Sequence, residues 1–480
     1  MKVIRNLLRR LSLQIVVLTT FLTPHIGLLS QQNIIPFPEV WEKYSKTSPA
    51  ARAAAEELQA SKTASGRSGR HWLPRIYAGG QVFNTNDPAY NFMGILGQRD
   101  ARQMDFATKF HSSELASGII KDSNYLNTNS FLVDMMRPNT LNYPGSHTYQ
   151  AGKIGIDIPL YEGGMKSNIA AAESEVEIAK KHQLNFIVLN EYGHTAVQYA
   201  TLNSLLKQKK QLENLLGHVN AVLAGYQVGV AGNPVGYSGL LGLRSLRNRI
   251  TGMIAENQAK QERARRSIQE VSGISENWLP EDMDALDFGD KYLKSGTSGN
   301  ASSYTLALQS YAKSMEHAAD AEYARFLPRT GVFGEALGYG GERGTASSYY
   351  AGFYIQMNLF NATDFGAVEQ ARHNQAAMQA KAEEQKVKEK VLISSMLEAE
   401  LALKKNLALM KDSSRMLEEQ TITSRRLFLN GLINALQLTE VFSRRADLAE
   451  HQTKAELEYL TVKAGLVTLT GTNEGVHHVE

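Results

Sequence analysis

Apolar and polar residues alternate strictly in two short stretches of this chain and recur every three or four positions in much longer ones. In the first short stretch Ile154, Ile156, Ile158 and Leu160 share one face, while Lys153, Gly155, Asp157 and Pro159 occupy the other. The second sets Ala351, Phe353, Ile355, Met357 and Leu359 against Gly352, Tyr354, Gln356 and Asn358, with Tyr349, Tyr350 and Phe360 near its ends. A period of two with one apolar face predicts a half-buried strand or a lipid-facing barrel strand, and the aromatic ends match the girdles of membrane barrels. Each stretch has an upstream partner that opens on a similar signpost, Trp72-Leu73-Pro74-Arg75 in one case and Phe326-Leu327-Pro328-Arg329 in the other. Two hairpins, or four strands, are therefore expected per chain. Four strands cannot close a barrel, so insertion into lipid would require several chains to share one.

The longer segments have the helical period. From Leu160 to Ala224 there is no proline, and only Gly163-Gly164, Gly193 and Gly217 interrupt a helix-forming composition. A helix of that extent would be about 98 Å long, beyond any compact domain. Leu212, Leu216, Val219 and Leu223 step by four, three and four, and Met396, Leu403, Met410 and Leu417 recur every seven, as a coiled-coil seam requires. The first helix runs into breakers between Gly225 and Pro234, including Val228, Gly229 and Val230; the second runs into Asn430, Gly431, Leu432 and Ile433. Each tip leads into a returning helix that ends at Gly273 or Gly471. Glycines 225, 229, 232, 236 and 239 read either as a close-packed helix face or as a flexible tip.

These elements occur in the same order twice. Leu160 to Gly273 spans 113 residues and Leu359 to Gly471 spans 112, and Leu205, Leu212 and Val219 match Leu403, Met410 and Leu417 at a constant offset of 198. An internal repeat of this size governs the fold. The expected organisation is a first repeat over 31–271 and a second over 272–471. The first holds a helical hairpin over 160–273 with its tip at 225–236. The second holds a β-hairpin over 328–360 and a helical hairpin over 359–471 with its tip at 425–434. The first β-hairpin is much the longer, and its insertion at 84–147 reads as a loop lying beyond the strands.

Residues 1–30 have the form of a secretory signal, with Lys2, Arg5, Arg9 and Arg10 before an apolar run from Leu11 to Leu22 and Ser30 as the small residue before cleavage. The run is too short for a spanning helix, so export is expected and a signal anchor is the less favoured alternative. Residues 472–480 read as a polar tail. The absence of cysteine excludes disulfides, thiolate metal sites and a lipid-bearing N-terminal cysteine. With 51 basic and 48 acidic residues the chain is nearly neutral, and no basic tract suggests nucleic acid. The twelve histidines are scattered, and His477-His478 supplies too few ligands for a metal. No nucleophile or acid–base constellation stands out, so neither an enzyme nor a cofactor is expected.

The order and duplicated spacing of these motifs resemble the TolC-type outer-membrane efflux proteins. The resemblance rests on Pro159-Leu160-Tyr161-Glu162-Gly163-Gly164 running into a helix, the paired Leu-Pro strand starts, and Val228-Gly229-Val230 at one tip. At the other tip it rests on Gly431-Leu432 followed by Leu436-Gln437-Leu438; it covers about Pro49 to Gly471. The inserted loop is similar to that of one branch, with Asp87-Pro88, Phe92, Asp105-Phe106 and Leu141-Asn142-Tyr143-Pro144. The resemblance implies a mainly α protein with membrane β-strands, a homotrimer whose twelve strands close one barrel in outer-membrane lipid above a periplasmic α-helical barrel. It implies a passive exit duct for small molecules or polypeptides, whose tips meet a periplasmic adaptor serving an inner-membrane RND or ABC transporter.

Site residues follow from the same resemblance. Val228, Gly229, Val230, Asn430, Gly431, Leu432 and Ile433 would contact the adaptor. The family's two acidic entrance positions correspond to Gln437 and Glu440, so one acidic ring, favouring cations, would survive; Glu440 on a solvated helix face is the other reading. Arg425 and Arg426 would hold the closed tip through ion pairs or else be ordinary surface charge. Ile154, Ile156, Ile158, Phe353, Ile355 and Met357 would face lipid. The alternative function is a soluble periplasmic coiled-coil adaptor or scaffold, which would account for the heptads but not for the strands.

Overall fold

The computed structural model describes residues 33–108, 139–226, 234–296 and 301–471. Among them the chain is mostly helical. Strand β1 (Asn33–Ile35), helix α1 (Phe37–Thr47) and α2 (Pro49–Ser68) are followed by β2 (Arg75–Thr85), α3 (Pro88–Gly97) and β3 (His147–Glu162). Helices α4 (Met165–Gly225) and α5 (Pro234–Ser272), strand β4 (Trp278–Pro280), α6 (Ala285–Tyr292) and α7 (Ser303–Ala324) come next. The order closes with β5 (Arg329–Gly341), β6 (Gly344–Gln356), α8 (Ala367–Leu429) and α9 (Ala435–Thr470). At 61 and 63 residues, α4 and α8 lie in the two segments whose composition predicts long helices. No helix among the described residues is long and apolar enough to cross a membrane.

The chain divides into two compact units. The first comprises residues 1–58, 179–308 and 382–480. One of its cores is aromatic: Phe37 meets Tyr192, Tyr199, Phe288 and Tyr292 edge-on at 5.3–5.5 Å, and Tyr199 stacks on the fully buried Trp278. Such edge contacts each add about 0.5–1.5 kcal/mol to the burial of the rings. The Tyr199 hydroxyl donates to the Ile35 carbonyl and accepts from the Glu281 amide, so this buried polar atom is satisfied. The second core joins Leu212, Leu215, Val219 and Val222 of α4 to Leu243, Leu246 and Ile250 of α5 and to Leu438, Phe442 and Ala446 of α9. Between the cores runs a buried polar ladder in which Asn257 and Gln261 of α5 both donate to the Leu205 carbonyl, and Asn257 also donates to Gln208. A ladder of this kind pins helix register, because a slip of one turn would strand every amide.

The second unit comprises residues 59–178 and 309–381 and is built on one antiparallel sheet of order β2-β3-β5-β6. Register runs Tyr77 opposite Gly155, Gly155 opposite Glu335, and Glu335 opposite Tyr350. Strands β5 and β6 join through the two-residue turn Glu342-Arg343, as the glycines at 338, 340 and 341 suggest. Strand β3 passes a bulge between Pro159 and Tyr161 and then turns at Gly163 and Gly164, whose φ values of 66° and 83° are open to glycine at little cost. A Cβ at Gly163 would also lie 2.7 Å from the Ala324 carbonyl oxygen.

Two expectations need correction. Strand β6 ends at Gln356, so Met357 to Phe360 are not strand; Asn361 instead caps a short 3-10 turn at Ala362–Asp364 with its side chain. The insertion at 84–147 does not lie wholly beyond the strands, because α3 packs against the sheet itself.

Candidate functional site

Two regions carry the expected functional residues, and each lies within one unit. In the sheet, register separates the side chains by chemistry. One face presents Ile76, Val82, Ile154, Ile156, Phe353 and Ile355, all exposed, the last two at 63% and 65%. Ile158 shares this face and is half-buried. Met357 is exposed but lies one residue past β6.

The opposite face carries Tyr77, Lys153, Asp157, Glu335, Tyr350 and Tyr354. Glu335 is nearly buried, accepts from the hydroxyls of both Tyr77 and Tyr350, and lies 3.5 Å from Lys153 Nζ. Tyr354 donates to Asp157 across the sheet. Glycine makes room for these rings. A Cβ at Gly155 would stand 2.4 Å from Tyr77, one at Gly331 2.6 Å from Tyr354, and one at Gly352 3.0 Å from Phe333. The rings therefore lie across the strands instead of projecting from them.

At the second tip, α8 ends in a tight reversal. The Gly431 amide bonds the Phe428 carbonyl and the Leu432 amide bonds the Leu427 carbonyl, with Gly431 at φ 72°. This is a glycine-terminated helix end that satisfies the last carbonyls. Helix α9 then starts in a capping box: Gln437 N–H donates to Asn434 Oδ1 at 2.9 Å, and Asn434 N–H donates to Gln437 Oε1 at 3.0 Å. The Gln437 side-chain oxygen is thus engaged by the cap. Leu432 is 70% exposed, Asn430 is exposed, and Ile433 packs against the second core. Residues Val228, Gly229 and Val230 lie outside the described residues.

Glu440 pairs with Arg444 one turn on, both exposed. Arg426 is exposed and makes no side-chain hydrogen bond or ion pair among the described residues. Arg425 is half-buried and donates to Nδ1 of His218 on α4 at 3.3 Å. Beside it Arg445 of α9 pairs with Glu418 of α8 at 3.2 Å, and its buried Nη1 has no partner among the described residues. Burial first, then the charges of Arg425 and Arg445, hold the His218 imidazole below its usual pKa. Sequence singles out Arg425 but not His218 as its partner, since nothing local marks residues 207 positions apart as neighbours. Of the spaced glycines, Gly239 proves close-packed, with a Cβ position 2.6 Å from that of Ala435, while Gly225 has open space. Tyr226 stacks on Phe428 at 6.0 Å and donates to the Gly236 carbonyl.

No protein-family model matches the sequence, and no curated protein resembles it by sequence. Solved structures do match. The open-state MtrE outer membrane channel of Neisseria gonorrhoeae aligns over 91% of this chain and 88% of its own, with a TM-score of 0.69 at 13% identity. The outer membrane protein VceC of Vibrio cholerae aligns over 91% and 96%, with 0.67 at 11%. The CmeC outer membrane channel of Campylobacter jejuni gives 91% and 85%, with 0.67 at 10%. This is the fold of the TolC-type outer-membrane channels. The likeness extends over most of each chain, so the channel fold includes both the sheet and the paired long helices.

Proposed function

We propose that this chain is one protomer of a homotrimeric exit duct in an outer membrane. The observation that carries the reading is the sheet: its aliphatic face is exposed, its other face is lined by tyrosine and charge, and among the described residues β2 and β6 leave both edges free. Open edges in hydrocarbon leave unsatisfied amides at several kcal/mol each, so copies must pair edge to edge. Three copies give twelve strands, a number in the range of closed membrane barrels. The long helices α4 and α8, each followed by a returning helix, support the duplicated hairpin organisation that such a duct would use for its periplasmic part.

In this role the protein supplies a path and the energy comes from elsewhere. Its cargo would be small molecules or polypeptides, delivered through an adaptor protein from an inner-membrane RND or ABC transporter. Asn430, Gly431 and the exposed Leu432 support the second tip as an adaptor contact. Residues 1–30 would serve as the export signal. Purification in detergent with mass determination, followed by planar-bilayer recording, tests the reading: a trimer that conducts is expected. A protein soluble without detergent and silent in the bilayer would instead make it a periplasmic scaffold.

A further inference from the structure

The insertion in the first hairpin has a folded start. Asp87 accepts from the Ala89 and Tyr90 amides and Pro88 occupies the first helical position, so α3 begins at a well-formed cap. Helix α3 lies on the polar, tyrosine-lined face of the sheet. Gly94 and Gly97 allow the contact, since a Cβ would stand 2.5 Å from Tyr149 at the first and 2.8 Å from Tyr339 at the second. Tyr149 lies at the start of β3 and Tyr339 near the end of β5, in nearby paired rows, so the helix sits within the strand rows.

Polar bonds fasten it there. The Tyr149 hydroxyl donates to Asn91 at 2.8 Å, and Asn91 donates to the carbonyls of Thr85 and Gly145. The Arg343 amide, in the β5–β6 turn, donates to Gln98, and the Arg343 guanidinium grips Asp105 with two bonds of 2.6 and 2.7 Å. Bidentate pairs of this geometry combine strength with directional specificity.

The side of α3 turned away from the sheet is apolar and uncovered among the described residues. Met93 is 65% exposed and Leu96 42%, with Tyr90 on the flank at 64%. In a closed barrel the aliphatic face of the sheet must meet lipid, which places α3 on the lumen side. Twelve strands about 4.8 Å apart and tilted about 40° enclose a radius of about 12 Å. That radius runs to the strand backbones, so a helix about 10 Å across laid on the inner wall takes up most of it and brings its far face close to the axis.

We propose that the α3 helices of three protomers meet around the barrel axis through Met93 and Leu96 and form a constriction inside the barrel mouth, held to the wall by the Arg343–Asp105 pair. The occupant of the apolar face is thus the same helix of the other copies. The inference rests on the trimeric duct reading.

The chain has no cysteine, so Met93→Cys introduces a single thiol at an exposed position that leaves the packing of α3 on the sheet intact. Oxidation of the membrane-embedded trimer with copper–phenanthroline should give a covalent dimer on a non-reducing gel, whereas Ile95→Cys, facing the sheet, should not. Asp105→Ala should raise single-channel conductance at least twofold. A conducting trimer whose Met93→Cys form gives no interchain dimer overturns the constriction while leaving the duct intact. A parental protein that neither trimerises nor conducts overturns the duct, and the constriction with it.

Discussion

Arg425 donates to Nδ1 of His218, which requires a neutral imidazole with its proton on Nε2. Burial and two guanidinium charges keep it neutral below the usual histidine range, with Glu418 opposing weakly. The unfolded chain takes up a proton near pH 6.5, the folded chain only at lower pH, so between the two the unfolded state binds more protons. Stability from this site is therefore intact above about pH 6.5 and declines as pH falls toward the lowered folded value. Replacing His218 by Asn keeps an acceptor and removes the charge. The variant's melting temperature should fall less than the parent's between pH 7.5 and 5.5, and equal falls would remove His218 from the acid response. Local chemistry is readable where it depends on neighbours in sequence: Asn-Gly at 430–431 marks a helix end, and Asp87-Pro88 starts a helix inside a stretch whose composition reads as loop. The cap at Gln437 was equally local, yet the family correspondence pointed to a lumen role while its side chain closes a turn.

Among the elements, α6 is tied to three long helices by charge. Asp290 accepts from Lys404 of α8 and lies 3.6 Å from Lys463 of α9, and the Lys404 and Tyr459 contacts hold its carboxyl below the usual range. Asp284, immediately before α6, bridges Lys207 of α4 and Lys411 of α8. Lys404 and Lys411 are seven residues apart, so one face of α8 supplies both anchors. Lys463 and Glu400 form a nearly buried pair at 3.0 Å. Removing one partner of such a pair leaves a desolvated charge and costs about 3–5 kcal/mol, whereas replacing both with apolar residues is often neutral. Lys463→Met should therefore lower the urea midpoint strongly, and Lys463→Met with Glu400→Leu should recover most of it. No more than a partial recovery would show that the pair itself stabilises the fold. Heptads at 205, 212 and 219 foretold burial on α4, and those residues are buried. Their counterparts Leu403, Met410 and Leu417 on α8 are only half-covered, because a periodic pattern gives a face without giving what meets it.

At the scale of the whole molecule, α8 keeps an apolar stripe in solvent: Val387, Val391, Leu401, Leu409 and Met416 are each 58–71% exposed. A trimer would cover that stripe with a neighbouring protomer. Leu401→Glu should then reduce trimer recovery severalfold in light scattering while leaving helix content unchanged by circular dichroism, and a full yield of trimer would place the stripe outside the subunit contact. The elements of the channel fold were legible because their periods are long and distinct. The position of α3 was not, since it depends on Gly94 and Gly97 meeting rings some fifty and two hundred and forty residues away. The free edges of β2 and β6 bear on biogenesis. Under the duct reading a lone copy, whose sheet edges are unpaired among the described residues, would not rest stably in lipid. If the chain is one protomer of such a duct, copies would have to find one another before or during insertion, and the rate of appearance of conducting channels should rise more steeply than linearly with the amount of chain supplied.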